Sequence, residues 1–141
     1  MARILLLVHV EEAFRSSFPP GYAAKIRKFA RRKDRIIHCT SHVGDDSPIR
    51  EIAGVVDEEI DWAWGYEPAA FEDNEDEQKH VIRTYGNHHE WTWVPPELRR
   101  WKPGDHSITL GGGCDLECLD DMRAVLRHLG LPFREARSLV Y

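Results

Sequence analysis

Residues 2–10 of this chain read Ala-Arg-Ile-Leu-Leu-Leu-Val-His-Val, with five consecutive large aliphatic side chains from Ile4 to Val8. Successive side chains of a strand point to opposite faces, so a strand with one wet face alternates apolar and polar residues. An unbroken apolar run needs cover on both faces, the condition of a strand inside a parallel sheet layered by helices. The run is far too short to cross a bilayer. A single Arg ahead of it, with no small-residue cleavage site behind it, does not make a secretion signal. A cytoplasmic location without a membrane partner is the expectation.

The pattern downstream repeats that logic. Pro19, Pro20 and Gly21 open a helix in which Tyr22, Ile26, Phe29 and Ala30 form an apolar stripe. Lys25, Arg27, Lys28, Arg31 and Arg32 occupy the opposite face. Arg35 to Thr40 follows as a strand, so the opening is a β-α-β unit with a right-handed crossover and parallel strands. Residues 60–64 and 80–85 read as short strands, 71–78 as an acidic loop or helix start, and 97–101 as a short helix after Pro95-Pro96. The final third reads as a strand over 105–110, a turn at 111–113, a helix over 115–129 and a strand over 132–140. Leu116, Leu119, Met122, Leu126 and Leu129 fall on one face of that helix, and Gly130 closes it.

These elements predict one α/β domain over residues 1–141: a three-layer, Rossmann-like sandwich with a mostly parallel sheet of about five strands. A chain of 141 residues buries roughly 70% of its unfolded surface without disulfides. Cys39, Cys114 and Cys118 are an odd number with no CxxC pair, and read as free thiols in a reducing compartment. The net charge of −5 argues against a general nucleic-acid partner. Basic residues nevertheless crowd into 25–35 and acids into 57–77.

In such a sheet, ligands bind outside the carboxyl ends of the strands, near the switch point. The segments to watch are 9–14, 40–46, 83–89 and 111–118. The last reads Gly111-Gly112-Gly113-Cys114-Asp115-Leu116-Glu117-Cys118. Glycines let the backbone turn tightly and expose N–H groups suited to an oxyanion. A cysteine in the first turn of the following helix meets the positive end of the dipole, which favours a thiolate.

Three motifs in this order resemble the isochorismatase-like cysteine hydrolases, the superfamily that includes nicotinamidases. They are Leu6-Leu7-Val8-His9-Val10-Glu11-Glu12-Ala13-Phe14, Val81-Ile82-Arg83, and Ile108-Thr109-Leu110-Gly111-Gly112-Gly113 through Cys118. The resemblance implies an isochorismatase-like topology and a cysteine nucleophile, Cys118, acting on an amide-type bond of a small molecule. This chain departs from the family where His9 replaces the aspartate base and Arg83 the lysine, and it is shorter than typical members. On this reading His9 is the base and Arg83 an anion stabiliser, with Glu11 or Glu12 as an alternative carboxylate. Glu11, Phe14, Gly112, Gly113 and Cys114 surround the ligand. Members are commonly homo-oligomers, and the basic helix face could meet residues 57–77 of a second copy. The cysteine chemistry requires no cofactor. Nicotinamidase-type members hold a metal through Asp-x-His after the second strand; the equivalent here, Thr40-Ser41-His42, keeps only the histidine. His42 with Asp45, joined by His38 and Asp46, is the metal site this admits.

The same residues have structural readings. Cys118 suits a helix buried against a sheet, and His9 a core histidine bonded to a carbonyl. Arg83 could pair with acids in 72–77, and His88-His89 reads as a solvated loop. The five tryptophans suit a core or interface. A non-catalytic relative binding a small ligand or protein partner therefore stands beside the hydrolase, and a metal-dependent hydrolase behind both.

Overall fold

The computed structural model describes residues 1–41, 44–62, 80–85 and 88–141. In chain order the strands and helices are β1 (Ala2–Val8), α1 (Tyr22–Ala30), β2 (Arg35–Thr40), β3 (Glu58–Asp61), β4 (His80–Tyr85), β5 (His88–Trp93), α2 (Pro96–Arg99), β6 (His106–Gly112), α3 (Cys118–His128) and β7 (Phe133–Val140). Five strands form one sheet in the order β3-β2-β1-β6-β7, and every pairing within it is parallel.

The unbroken apolar run of β1 serves two cores. Ile4, Leu6 and Val8 join the cluster that holds α3 residues Leu119, Met122, Val125 and Leu126. Leu5 and Leu7 join the opposite cluster, with Tyr22 and Ile26 of α1. All five β1 side chains are fully buried, each stabilising the fold by about 1.5–3 kcal/mol. Helices therefore cover both faces of the sheet.

The helix α3 ends as Gly130 implies. Gly130 takes φ +67°; its N–H donates to Arg127 O, and the Leu131 N–H reaches Leu126 O at 2.9 Å. This double bond pattern satisfies the last carbonyls, with Leu131 and Leu126 packed in one cluster.

Four expectations need correction. Leu116 is 69% exposed, because α3 starts at Cys118 and Leu116 sits in the preceding turn. Gly111 and Gly112 are not turn residues: they pair with Leu7 and Val8 at the end of β6. β4 is not part of the parallel sheet but pairs antiparallel with β5. His88 and His89 consequently lie on a strand of that hairpin rather than in a loop.

Candidate functional site: a cleft at the switch point

Strand order changes direction between β1 and β6, and the chain segments leaving those two strands diverge there. A cleft of about 270 Å³ opens at this point, lined by His9, Phe14, Ser17, Gly113, Cys114, Glu117, Cys118 and Tyr141. His9 follows β1; residues 113–118 follow β6; Tyr141 follows β7. Phe14 and Ser17 come from a 3-10 helix, Glu12–Ser17.

His9 turns the chain out of β1 with φ +52°, the only non-glycine positive φ among the described residues. Its backbone N–H reaches Cys39 O at 3.1 Å, and its carbonyl accepts the Tyr141 hydroxyl at 2.5 Å. Nε2 lies 3.0 Å from the Trp62 carbonyl. A carbonyl only accepts, so Nε2 carries the proton and Nδ1 is the basic nitrogen. The ring packs on Trp62 at 5.5 Å and stacks with Phe14 at 6.3 Å between centroids. Burial lowers its pKa to about 4, and nearby His38 pushes the same way. His9 is neutral at pH 7.

Gly112 and Gly113 bring β6 against its neighbours. Gly112 has φ +106°, and a Cβ there would run into the Val8 backbone; one on Gly113 would come 2.6 Å from the Tyr141 carbonyl. The Gly113–Cys114 peptide bond is cis. Several of the N–H groups that follow are already engaged. Gly113 donates to Val8 O, Asp115 to Tyr141 O at 2.7 Å, and both Glu117 and Leu119 to Cys114 O. The N–H groups of Gly113, Asp115 and Glu117 therefore hold the loop together.

Cys118 is the first residue of α3 and 7% exposed. Desolvation raises its thiol pKa far above the ordinary value, with Asp121, Glu117 and Cys114 adding to the rise; a hydrogen bond from the Cys114 backbone only partly opposes it. The helix dipole predicted a thiolate here. Burial among carboxylates outweighs that dipole, so Cys118 is a thiol at neutral pH. Cys114 is the exposed thiol of the cleft.

Glu11 does not line the cleft. It is fully buried, and its carboxylate accepts both the Ser41 N–H and, at 2.6 Å, the Ser41 hydroxyl, tying the exit of β1 to the exit of β2. Glu12 faces outward to Arg15 at 2.7 Å. Gly112 sits behind the cleft rather than in it. Arg83 lies in the middle of β4, opposite Glu90, not at the carboxyl end of a strand in the parallel sheet. His42 lies outside the described residues. Asp45 accepts from the N–H and hydroxyl of Ser47, at 3.2 and 2.6 Å, and among the described residues no group of three His, Cys, Asp or Glu is placed to hold a metal. His38 is buried, its Nδ1 3.2 Å from Glu59.

Two residues that shape the site were not singled out in the sequence. Tyr141 bonds His9 by its hydroxyl, and its backbone N–H bonds Gly112 O at 3.1 Å. Arg123, 7% exposed, grips the Asp115 carbonyl at 2.8 Å, the Asp115 carboxylate at 2.5 Å and Glu135 at 2.6 Å. It clamps the loop after β6 between α3 and β7. An Arg within an otherwise apolar helical stripe was the available signal.

Fold and site together define an α/β domain of the doubly wound class, with a cleft at its switch point. No family model, curated protein or solved structure matches the chain. Among the described residues, no helix is long and apolar enough to cross a membrane.

Proposed function

We propose that the protein is an isochorismatase-like domain that binds a small, single-ring, uncharged molecule in the switch-point cleft without covalent chemistry. The observation that carries this reading is the lining: His9, Phe14 and Tyr141 supply aromatic faces around about 270 Å³, near the lower end of small-ligand sites. Ser17 and Glu117 supply polar contacts. Neutral His9 and thiol Cys118 add no charge, while Glu117 and Asp121 oppose an anion.

A hydrolase acting through Cys118 is the second reading. It is favoured by one observation, that His9 and Cys118 line the same cleft although 109 positions separate them in the sequence. In that chemistry neutral His9 would take the thiol proton, and the sulfur would attack the amide carbon. The C–N bond would break as His9 returns the proton to the leaving amine or ammonia, and water would then hydrolyse the thioester to the acid and the free thiol.

Benzamide and nicotinamide separate the two. Saturation-transfer NMR on the intact protein should show binding that Phe14→Ala abolishes, with no ammonia released above the Cys118→Ala background. Ammonia release lost in Cys118→Ser would establish the hydrolase. Failure of both amides to contact the protein would overturn the ligand class. Iodoacetamide labelling adds an independent reading: Cys114 should react first and Cys118 only well above pH 8.5, the ordinary thiol range.

A further inference from the structure

A second and larger cavity, about 720 Å³, lies between α1 and β7. It shares no residue with the switch-point cleft. Lys25, Lys28, Arg32 and Lys33 come from α1 and the turn after it, and Arg134 and Arg137 from β7. Lys25, Lys28 and Arg32 are spaced three and four apart, which stacks them on one helix face. In a chain of net charge −5, six cations on one concavity are a local concentration, not a consequence of composition.

Of the six, Arg137 alone has counter-ions, Asp115 at 3.6 Å and Glu135 at 3.4 Å. Among the described residues, Lys25, Lys28, Lys33, Arg32 and Arg134 form no ion pair. The one carboxylate in the lining, Glu135, is held by Arg123 at 2.6 Å and Arg137 at 3.4 Å. Asp34, beside Lys33 in sequence, is taken by Arg3 through its N–H at 2.7 Å and its guanidinium at 3.2 Å. Lys33 reaches onto the sheet, where its Nζ donates to Thr109 Oγ1 at 2.7 Å. A hydroxyl orients that ammonium but does not neutralise it. Burial lowers the Lys33 pKa, and Arg3 and Arg134 lower it further against a smaller rise from Asp34.

A cluster of unpaired cations is relieved by a multivalent anion. The half-buried ring of Phe29 on the cavity wall supplies a flat apolar surface beside the charge, and Ser138 a hydroxyl. We propose that this cavity binds a phosphorylated small molecule with an aromatic ring, of mononucleotide size. The volume lies within the range of small-ligand sites, and the overall negative charge disfavours a long nucleic-acid backbone, whose further phosphates would lie over the rest of the surface.

Isothermal titration calorimetry on the intact protein tests this with ATP, AMP, adenosine, inorganic phosphate and a short oligouridylate. ATP should bind one to one, more tightly than AMP, and more weakly as salt rises; adenosine should give no heat. The double variant Lys28→Glu/Arg134→Glu should weaken ATP by about tenfold or more while keeping the wild-type melting temperature. Phe29→Leu should weaken AMP and leave inorganic phosphate unchanged. Equal affinity for wild type and double variant, or no heat with any phosphate, overturns the site. Oligouridylate binding that ATP does not displace would make the surface a nucleic-acid face and overturn the small-ligand assignment.

Discussion

The Tyr141 hydroxyl donates to the His9 carbonyl over 2.5 Å, linking the chain just past β7 to the chain just past β1. Around this bond Tyr141 packs on Phe18 and Tyr22, with ring centroids 4.8 and 5.9 Å away. The contact holds the wall of the cleft and fixes the carbonyl of a residue with positive φ. Tyr141→Phe keeps the rings and removes one buried hydrogen bond, worth about 1 kcal/mol. The melting temperature should fall by roughly 3–5 °C in a calorimetric scan. An unchanged midpoint would mean the bond adds nothing.

Gly112 and Gly104 both have positive φ, at +106° and +93°. Nothing lies within 4 Å of a Cβ on Gly104, whereas one on Gly112 would meet the Val8 backbone. Gly104→Ala should therefore cost about 1 kcal/mol from conformation alone. Gly112→Ala should cost about 3 kcal/mol or more, because β1 and β6 must separate. Urea unfolding of the two variants side by side measures the difference; equal midpoints would refute the close approach.

Arg123 is the sole buried cation of the network that joins Asp115, Asp120 and Glu135. Arg123→Met would leave Asp115 and Glu135 with only the exposed Arg137 as charge partner, and both keep a quarter to a third of their side-chain exposure. Partial solvation brings the loss to about 2–3 kcal/mol, below that of a fully buried pair. Arg123→Lys should recover only part of it, since one ammonium cannot reproduce the fork. Loss of ligand binding beyond the loss of stability would show that the clamp also shapes the cleft.

His9 makes stability depend on pH in a defined direction. Its pKa falls from 6.5 in the unfolded chain to about 4 in the fold. Between those values the unfolded state takes up a proton that the folded state refuses, so stability drops as pH falls through that window. Above pH 6.5 the term is flat, and its full size is about 3 kcal/mol. His9→Asn tolerates positive φ and cannot titrate. The stability difference between wild type and His9→Asn, followed by urea unfolding, should change across the window and stay constant above it; a difference independent of pH would refute the assignment.

The elements legible in the sequence are those whose burial is local in pattern. The run from Ile4 to Val8 required two covered faces, and the three-and-four spacing from Leu119 to Leu126 required one. Gly130 required a helix end, and residues 35–40 read as a strand at its observed bounds. The hairpin was harder. His88-His89-Glu90-Trp91-Thr92-Trp93 mixes strand formers with residues common in loops, and only the pairing with β4 makes it a strand.

The candidate site divides in the same way. His9, Phe14, Gly113, Cys114 and Cys118 were readable because they follow strands that the apolar pattern already located, and the exits of strands on either side of a switch point converge. Whether a side chain lining that convergence faces a void or the interior depends on contacts from distant sequence. Ser41 turns Glu11 inward, and Trp62 fixes which nitrogen of His9 carries the proton. Loss of water, with Asp121 and Glu117 adding to it, raises the Cys118 thiol. Patterning determined the layers and the switch point, because burying apolar surface dominates the choice of fold. Tertiary structure decided the protonation states and the cleft, because desolvation and hydrogen-bond partners exist only once distant segments meet.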